Sequence, residues 1–136
     1  GGATTQETLF NKIKRVGKRI AISSAKGKGR GLQQKVCRDI SEVIHIPYDQ
    51  QDDECLIHSR EMGQAGVDVI LRGEAKRLFP FSVECKSAEQ FGLLATRNQA
   101  ETNKADGTDW MIVYKCKALN GPVVIMDWNR FIEGYE

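Results

Sequence analysis

Two apolar stretches of this chain carry charges that invite chemistry. In "FPFSVECKS", Phe79, Phe81, Val83 and Cys85 alternate with Pro80, Ser82, Glu84 and Lys86. Alternate residues of a strand share a face, so Glu84 and Lys86 project together from the side opposite the apolar residues. In "GVDVIL", Asp68 sits inside a strand-like run, where both propensity and burial disfavour an aspartate. A metal ion or a neighbouring cation removes that penalty. Paired as a hairpin, the two stretches would set Asp68 beside Glu84. Two carboxylates, a backbone carbonyl and waters suit a hard divalent cation such as Mg²⁺. Lys86 would then reach an activated water or the scissile phosphate. These are the parts needed to hydrolyse a phosphodiester.

Glu-x-Lys alone is a weak signal, because a chain with ten Glu and eleven Lys throws up such a triplet by chance. Glu74-Ala75-Lys76 is a second instance, in the polar run "RGEAKR", where charges cost nothing. Only the strand context and Asp68 separate Glu84-Cys85-Lys86 from an exposed edge-strand ion pair.

The elements that must hold these residues can be read from periodicity. Leu32, Val36, Ile40, Val43 and Ile44 recur at helical spacing and predict an amphipathic helix over 31–45, closed by Pro47. "CLIHS" and "VDVIL" read as short strands, "RGEAKRL" as a turn and "FPFSVECK" as a third strand. Ser87 with Gln90 forms a capping-box signature, which predicts a helix from 88 to about 103. "DWMIVYKCK" and "PVVIMDW" are two further strands joined by a turn carrying Asn120-Gly121. "NRFIEGY" reads as a short terminal helix. The order predicts an α/β protein of the α+β mixed-sheet kind, a mixed central β-sheet flanked by helices.

A length of 136 residues suits one domain. The four cysteines, Cys37, Cys55, Cys85 and Cys116, show no metal-ligand spacing and read as reduced core residues. His45 and His58 are likewise isolated. No apolar run reaches membrane-span length, so a cytoplasmic location and no membrane partner are expected. The net charge of +2 hides a division. Residues 1–38 hold ten Lys and Arg against Glu7 alone, and residues 39–136 hold ten against seventeen acids, so +9 faces −7. Such a basic, glycine-bearing segment repels itself unless it meets an anion. It reads either as a solvated tail or as an arm for a nucleic-acid backbone. Residues 1–25 are expected to form a flexible basic arm and 26–136 the folded domain.

An aspartate followed sixteen residues later by Glu-x-Lys at the end of the next strand resembles the PD-(D/E)xK nuclease superfamily. The phrases "KGKGRGLQQKVCRDISE", "HSREMGQAGVDVIL" and "LFPFSVECKS", with "NQAE" on the following helix, resemble small phage-encoded endonucleases of Holliday-junction-resolvase type. The likeness covers about residues 26–131. It implies a restriction-endonuclease-like core and a Mg²⁺-dependent DNA endonuclease acting in phage DNA recombination or processing, with Mn²⁺ able to substitute. Asp68 and Glu84 would be metal ligands, with the Cys85 carbonyl as a third. Lys86 would be the catalytic lysine. Gln99, on a helical stripe with Phe91 and Ala95, would either face the site or be satisfied structurally. Lys26, Lys28, Arg30 and Lys35 of the basic segment 11–38, with Ser59 and Arg60, would contact DNA phosphates. The resemblance also implies a homodimer and a branched, four-way-junction substrate. Rival readings are a general nuclease of linear or single-stranded DNA and a non-catalytic DNA-binding module on the same fold. Two positions depart from the pattern. Val67 stands where the motif's proline would be. Gln33 and Gln34 occupy the turn of the first helix that often carries a glutamate, leaving a glutamine, Glu42, Glu61 or water to complete the shell.

Overall fold

The computed structural model describes residues 29–135. Helix α1 spans residues 29–44 and buries Leu32, Gln33, Val36, Cys37 and Ile40, the stripe that its periodicity predicts. Val43, expected on that stripe, is 71% exposed. The helix ends because His45 takes a left-handed conformation, φ 59°, and the Ile46 amide turns back to the Ser41 carbonyl at 3.3 Å. That six-to-one closure satisfies a carbonyl the helix would otherwise leave open.

Among the described residues, five strands form one mixed sheet in the order β1-β2-β3-β4-β5: β1 Ile57–Ser59, β2 Val69–Leu71, β3 Phe81–Ser87, β4 Asp109–Lys115 and β5 Val123–Met126. β1 pairs antiparallel with β2 and β2 with β3, β3 and β4 run parallel, and β4 and β5 form an antiparallel pair. The expected class, a mixed sheet flanked by helices, is what the chain builds.

Three local expectations need correction. "GEAKRL" is a helix, α2 (Gly73–Leu78), not a turn, so β2 and β3 are antiparallel neighbours without being a hairpin. Its residues are mostly good helix formers, Glu74 pairs with Arg77 one turn on, and Ala75 is fully buried. Second, α3 spans Leu93–Asn103 and starts five residues later than the capping-box signature predicts. Ser87 is held in β3 opposite Lys115, and the Ala88 amide donates to the Lys115 carbonyl, so sheet pairing overrides the local cap. Gly92 takes the N-cap position with no side-chain bond. Third, Trp128, expected to end the last strand, opens α4 (Trp128–Glu133) and is 68% exposed. Asp127 caps α4 by accepting from the Arg130 amide at 3.0 Å.

The sheet separates two cores. On one face, Leu32, Val36, Cys37 and Ile40 of α1 pack on Ile57, Val69, Val83, Met111 and Val113. On the other, Ala100 of α3 packs with Trp110, Ile112 and Ile125. Burying side chains such as Ile57 and Ile112 completely stabilises the fold by roughly 1.5–3 kcal/mol each. The link from α3 to β4 is tied to β3 by buried hydroxyls. Ser82 Oγ accepts from the Ala105 amide at 2.9 Å and lies 2.8 Å from Thr108 Oγ1. The four cysteines are free thiols, and Cys37 is fully buried.

Candidate active site

β3 carries both kinds of residue by simple alternation. Val83 belongs to the α1 core, so Glu84 falls on the α3 side. The Val69–Val83 pairing, continued by one step, sets Asp68 opposite Glu84. The Ser59–Val69 pairing, continued likewise, sets Arg60 opposite Asp68, and the Arg60 amide donates to the Asp68 carbonyl at 2.8 Å. Arg60, Asp68 and Glu84 thus form a row across β1, β2 and β3. Lys86 stands two residues further along β3.

The two acids meet as expected. Their carboxyl groups are within hydrogen-bonding reach of each other. Asp68 Oδ2 also accepts from the Cys85 amide at 2.7 Å. Burial, followed by the charge of Asp68 and the bond between the two carboxyls, pushes Glu84 up to about 7, while Asn103 of α3 and Lys86 pull the other way. Burial raises Asp68 as well, opposed by the Cys85 amide, Glu84, Lys86 and Arg60. Near neutrality the pair therefore shares a proton, and the titration belongs to both acids together. Glu84 Oε1 is buried and has no hydrogen-bond partner among the described residues. A buried acceptor left this way costs about 1–3 kcal/mol.

These features fit a divalent cation. Two hard oxygen donors adjoin, one has an oxygen with nothing to bind, and each holds its proton more tightly than an ordinary carboxyl. No third Asp, Glu, His or Cys completes a cluster with them among the described residues. Glu42 and Glu61, alternatives for the missing first-helix acid, are both exposed. Gln33 is buried, 4% exposed, and its Oε1 accepts from Ser59 Oγ at 2.9 Å, so it braces β1 against α1.

The backbone of Cys85 adjoins the pair. The contact seen is its amide on Asp68, while its side chain packs against the α1 core. Lys86 is half-buried and acts on both carboxyls by charge, yet forms no ion pair among the described residues.

Gln99 is exposed, which corrects the expectation that it lies on an inward stripe. With α3 starting at Leu93, the buried positions are Thr96 and Ala100, and Asn103 continues that stripe to reach Glu84. The spacing Thr96–Ala100–Asn103 was present in the sequence, but Phe91 and Ala95 defined a competing stripe one residue out of step.

The residues expected to hold DNA divide into three groups. Lys26 and Lys28, with the rest of the arm over 1–25, lie outside the described residues. Arg30 and Lys35 are exposed on α1, and Lys35 pairs with Asp39 at 2.9 Å. Ser59 and Arg60 lie at the site end of β1, where Ser59 is spent on Gln33 and Arg60 Nε donates to the Val67 carbonyl at 2.6 Å. Among the described residues, the opposite face of the sheet gathers no comparable set of charged groups. Its cleft of about 250 Å³ is walled by Val36, Ile40, Val43, Phe79 and Val124, with Asp39 the one acid. No helix of the described residues is long and apolar enough to cross a membrane. No protein-family model, no curated protein and no solved structure matches this chain.

Proposed function

We propose that this chain is a divalent-metal-dependent endodeoxyribonuclease of PD-(D/E)xK type. The observation that carries this reading is the adjoining Asp68–Glu84 pair, with its unpartnered Oε1 and with Lys86 on the same strand. Asp68 and Glu84 would hold the cation, with Mg²⁺ the natural ion and Mn²⁺ a substitute. A bound divalent cation supplies acidification of water and neutralisation of phosphate charge. The Cys85 amide fixes the orientation of Asp68, and Asn103 and Lys86 both favour the ionised form of Glu84. Lys86, free of any carboxylate partner among the described residues, offers its ammonium to the charge that develops on the phosphate oxygens. The basic N-terminal segment would grip the DNA backbone without reading sequence, since the remainder of the chain is net acidic.

Branched DNA, cut by a homodimer, is the favoured substrate on the strength of the resemblance. The test is cleavage of a four-way junction beside a matched linear duplex, with Mg²⁺ and with chelator. Equal cutting of both substrates leaves a general nuclease. Binding without cutting by the intact chain leaves a non-catalytic DNA-binding module.

A further inference from the structure

Arg60 is placed for more than balancing the charge of Asp68. An arginine set only to neutralise a carboxylate puts its planar fork on the two oxygens, the arrangement in which such a pair is strongest. Here Asp68 Oδ2 is taken by the Cys85 amide, and Arg60 Nε is taken by the Val67 carbonyl at 2.6 Å. No carboxylate lies within ion-pair distance of Arg60 among the described residues. Its terminal amines therefore have no partner among the described residues, although its main chain is fastened to Asp68.

The guanidinium is also seated. Gly66 has φ +112°, and a Cβ there would lie 2.8 Å from Arg60 Nη2, 2.9 Å from Cζ and 3.1 Å from Nε. The plane of the arginine thus occupies the space that any other residue at 66 would fill. A long side chain ordinarily loses much rotamer freedom when it binds. This one is already pinned at Nε and supported on glycine. A planar donor fork, fixed beside a pair of acids suited to a cation, matches a phosphate with two free oxygens.

We propose that Arg60 is a preset phosphate-binding residue that grips the phosphodiester on which the Asp68–Glu84 pair acts, and that Gly66 is the residue that lets it stand there. This rests on the nuclease reading above and adds to it a phosphate subsite on the β1 side of the carboxylates, opposite Lys86.

The test uses the full chain as wild type, Arg60→Ala, Arg60→Lys and Gly66→Ala. Single-turnover cleavage of duplex and junction DNA with Mg²⁺ is measured beside the thermal shift that Mn²⁺ produces without DNA. Arg60→Ala is expected to cut ~100-fold more slowly, the scale of losing one donor to a developing charge. Arg60→Lys should recover only part of the rate, because an ammonium lacks the fork. Gly66→Ala should fall in the same direction, and all three variants should keep the Mn²⁺ shift, since both acids remain. Cleavage by Arg60→Ala at the wild-type rate overturns the proposal while leaving the nuclease reading intact. Loss of the Mn²⁺ shift together with cleavage also overturns it, by making Arg60 a prop for the acids. If the alanine variant does not fold, the lysine variant decides by the same two readouts. A wild-type chain that cuts neither DNA removes the nuclease reading and this proposal with it.

Discussion

On one side of β3, Val83 and Cys85 lie against α1 in a dry core; on the other, Ser82, Glu84 and Lys86 face α3 and its connection. The two sides share a backbone and differ by one residue of phase. The first is closed by packing, and its buried polar groups are neutral: Gln33 is bonded to Ser59, and the Tyr48 hydroxyl lies unpartnered against the core. The second retains a buried oxygen with no partner and two acids that crowd each other. The contrast teaches where stability was given up: a sheet face that only had to be stable would not place Asp68 against Glu84.

The contrast can be broken most forcefully from the charged side. Asp68→Asn should reduce metal-dependent DNA cleavage on the order of a thousandfold or more while leaving DNA affinity nearly unchanged. A variant that cuts normally would remove the carboxylate pair from the mechanism. From the dry side, Ile57→Ala should cost about 2–5 kcal/mol of stability in urea denaturation. Because Ile57 lies in the core on the α1 face of the sheet, opposite the carboxylate pair, cleavage per folded molecule should hardly change.

The charged side should also respond to pH. Glu84 in the folded chain titrates near 7, above its ordinary 4.5, so folding favours its protonated form. The stability tied to that proton is fully present below about 4.5 and is lost as the pH rises through about 7. Chelated protein should therefore melt at lower temperature at pH 8 than at pH 5.5, and Mg²⁺ should restore more at pH 8. Glu84→Gln should flatten the profile and abolish the metal's contribution. An unchanged profile in that variant would move the titration elsewhere. The smallest effect is expected on α3. Gln99→Ala should alter the cleavage rate by less than ~2-fold, as exposed substitutions generally do little. Asn103→Ala, which removes a neighbour of Glu84, should slow it by about tenfold, the lower end for groups that orient a ligand.

Much of the fold was legible because alternation is a strong signal. β3 carries a period-two pattern, β4 a continuous apolar run, and α1 a helical stripe over residues 32–40 that packing then enforces. Asp68 stood out because a charge in an apolar run has to be accounted for. The failures have a common physical origin in long-range pairing. Ser87 looks like a cap until β4 claims it, and that shift of the α3 start moves the inward stripe from Gln99 to Asn103. "RGEAKR" looks like a turn until Ala75 finds a buried seat. Arg60 and Gly66 could not be linked from spacing alone, because their contact depends on a positive φ that only the folded loop reveals.

The bond between the Cys85 amide and Asp68 has a bearing on motion. β2 and β3 share one main-chain rung, at Val69 and Val83, and the next is supplied by a carboxylate. A side chain can swing about its own torsions, whereas a strand carbonyl is fixed by its neighbours. The seam between these strands can therefore be fastened or released at Asp68 without either strand sliding. Whatever draws that oxygen elsewhere uncovers a strand amide, and the acid that serves the site is also the last stitch of the sheet beside it.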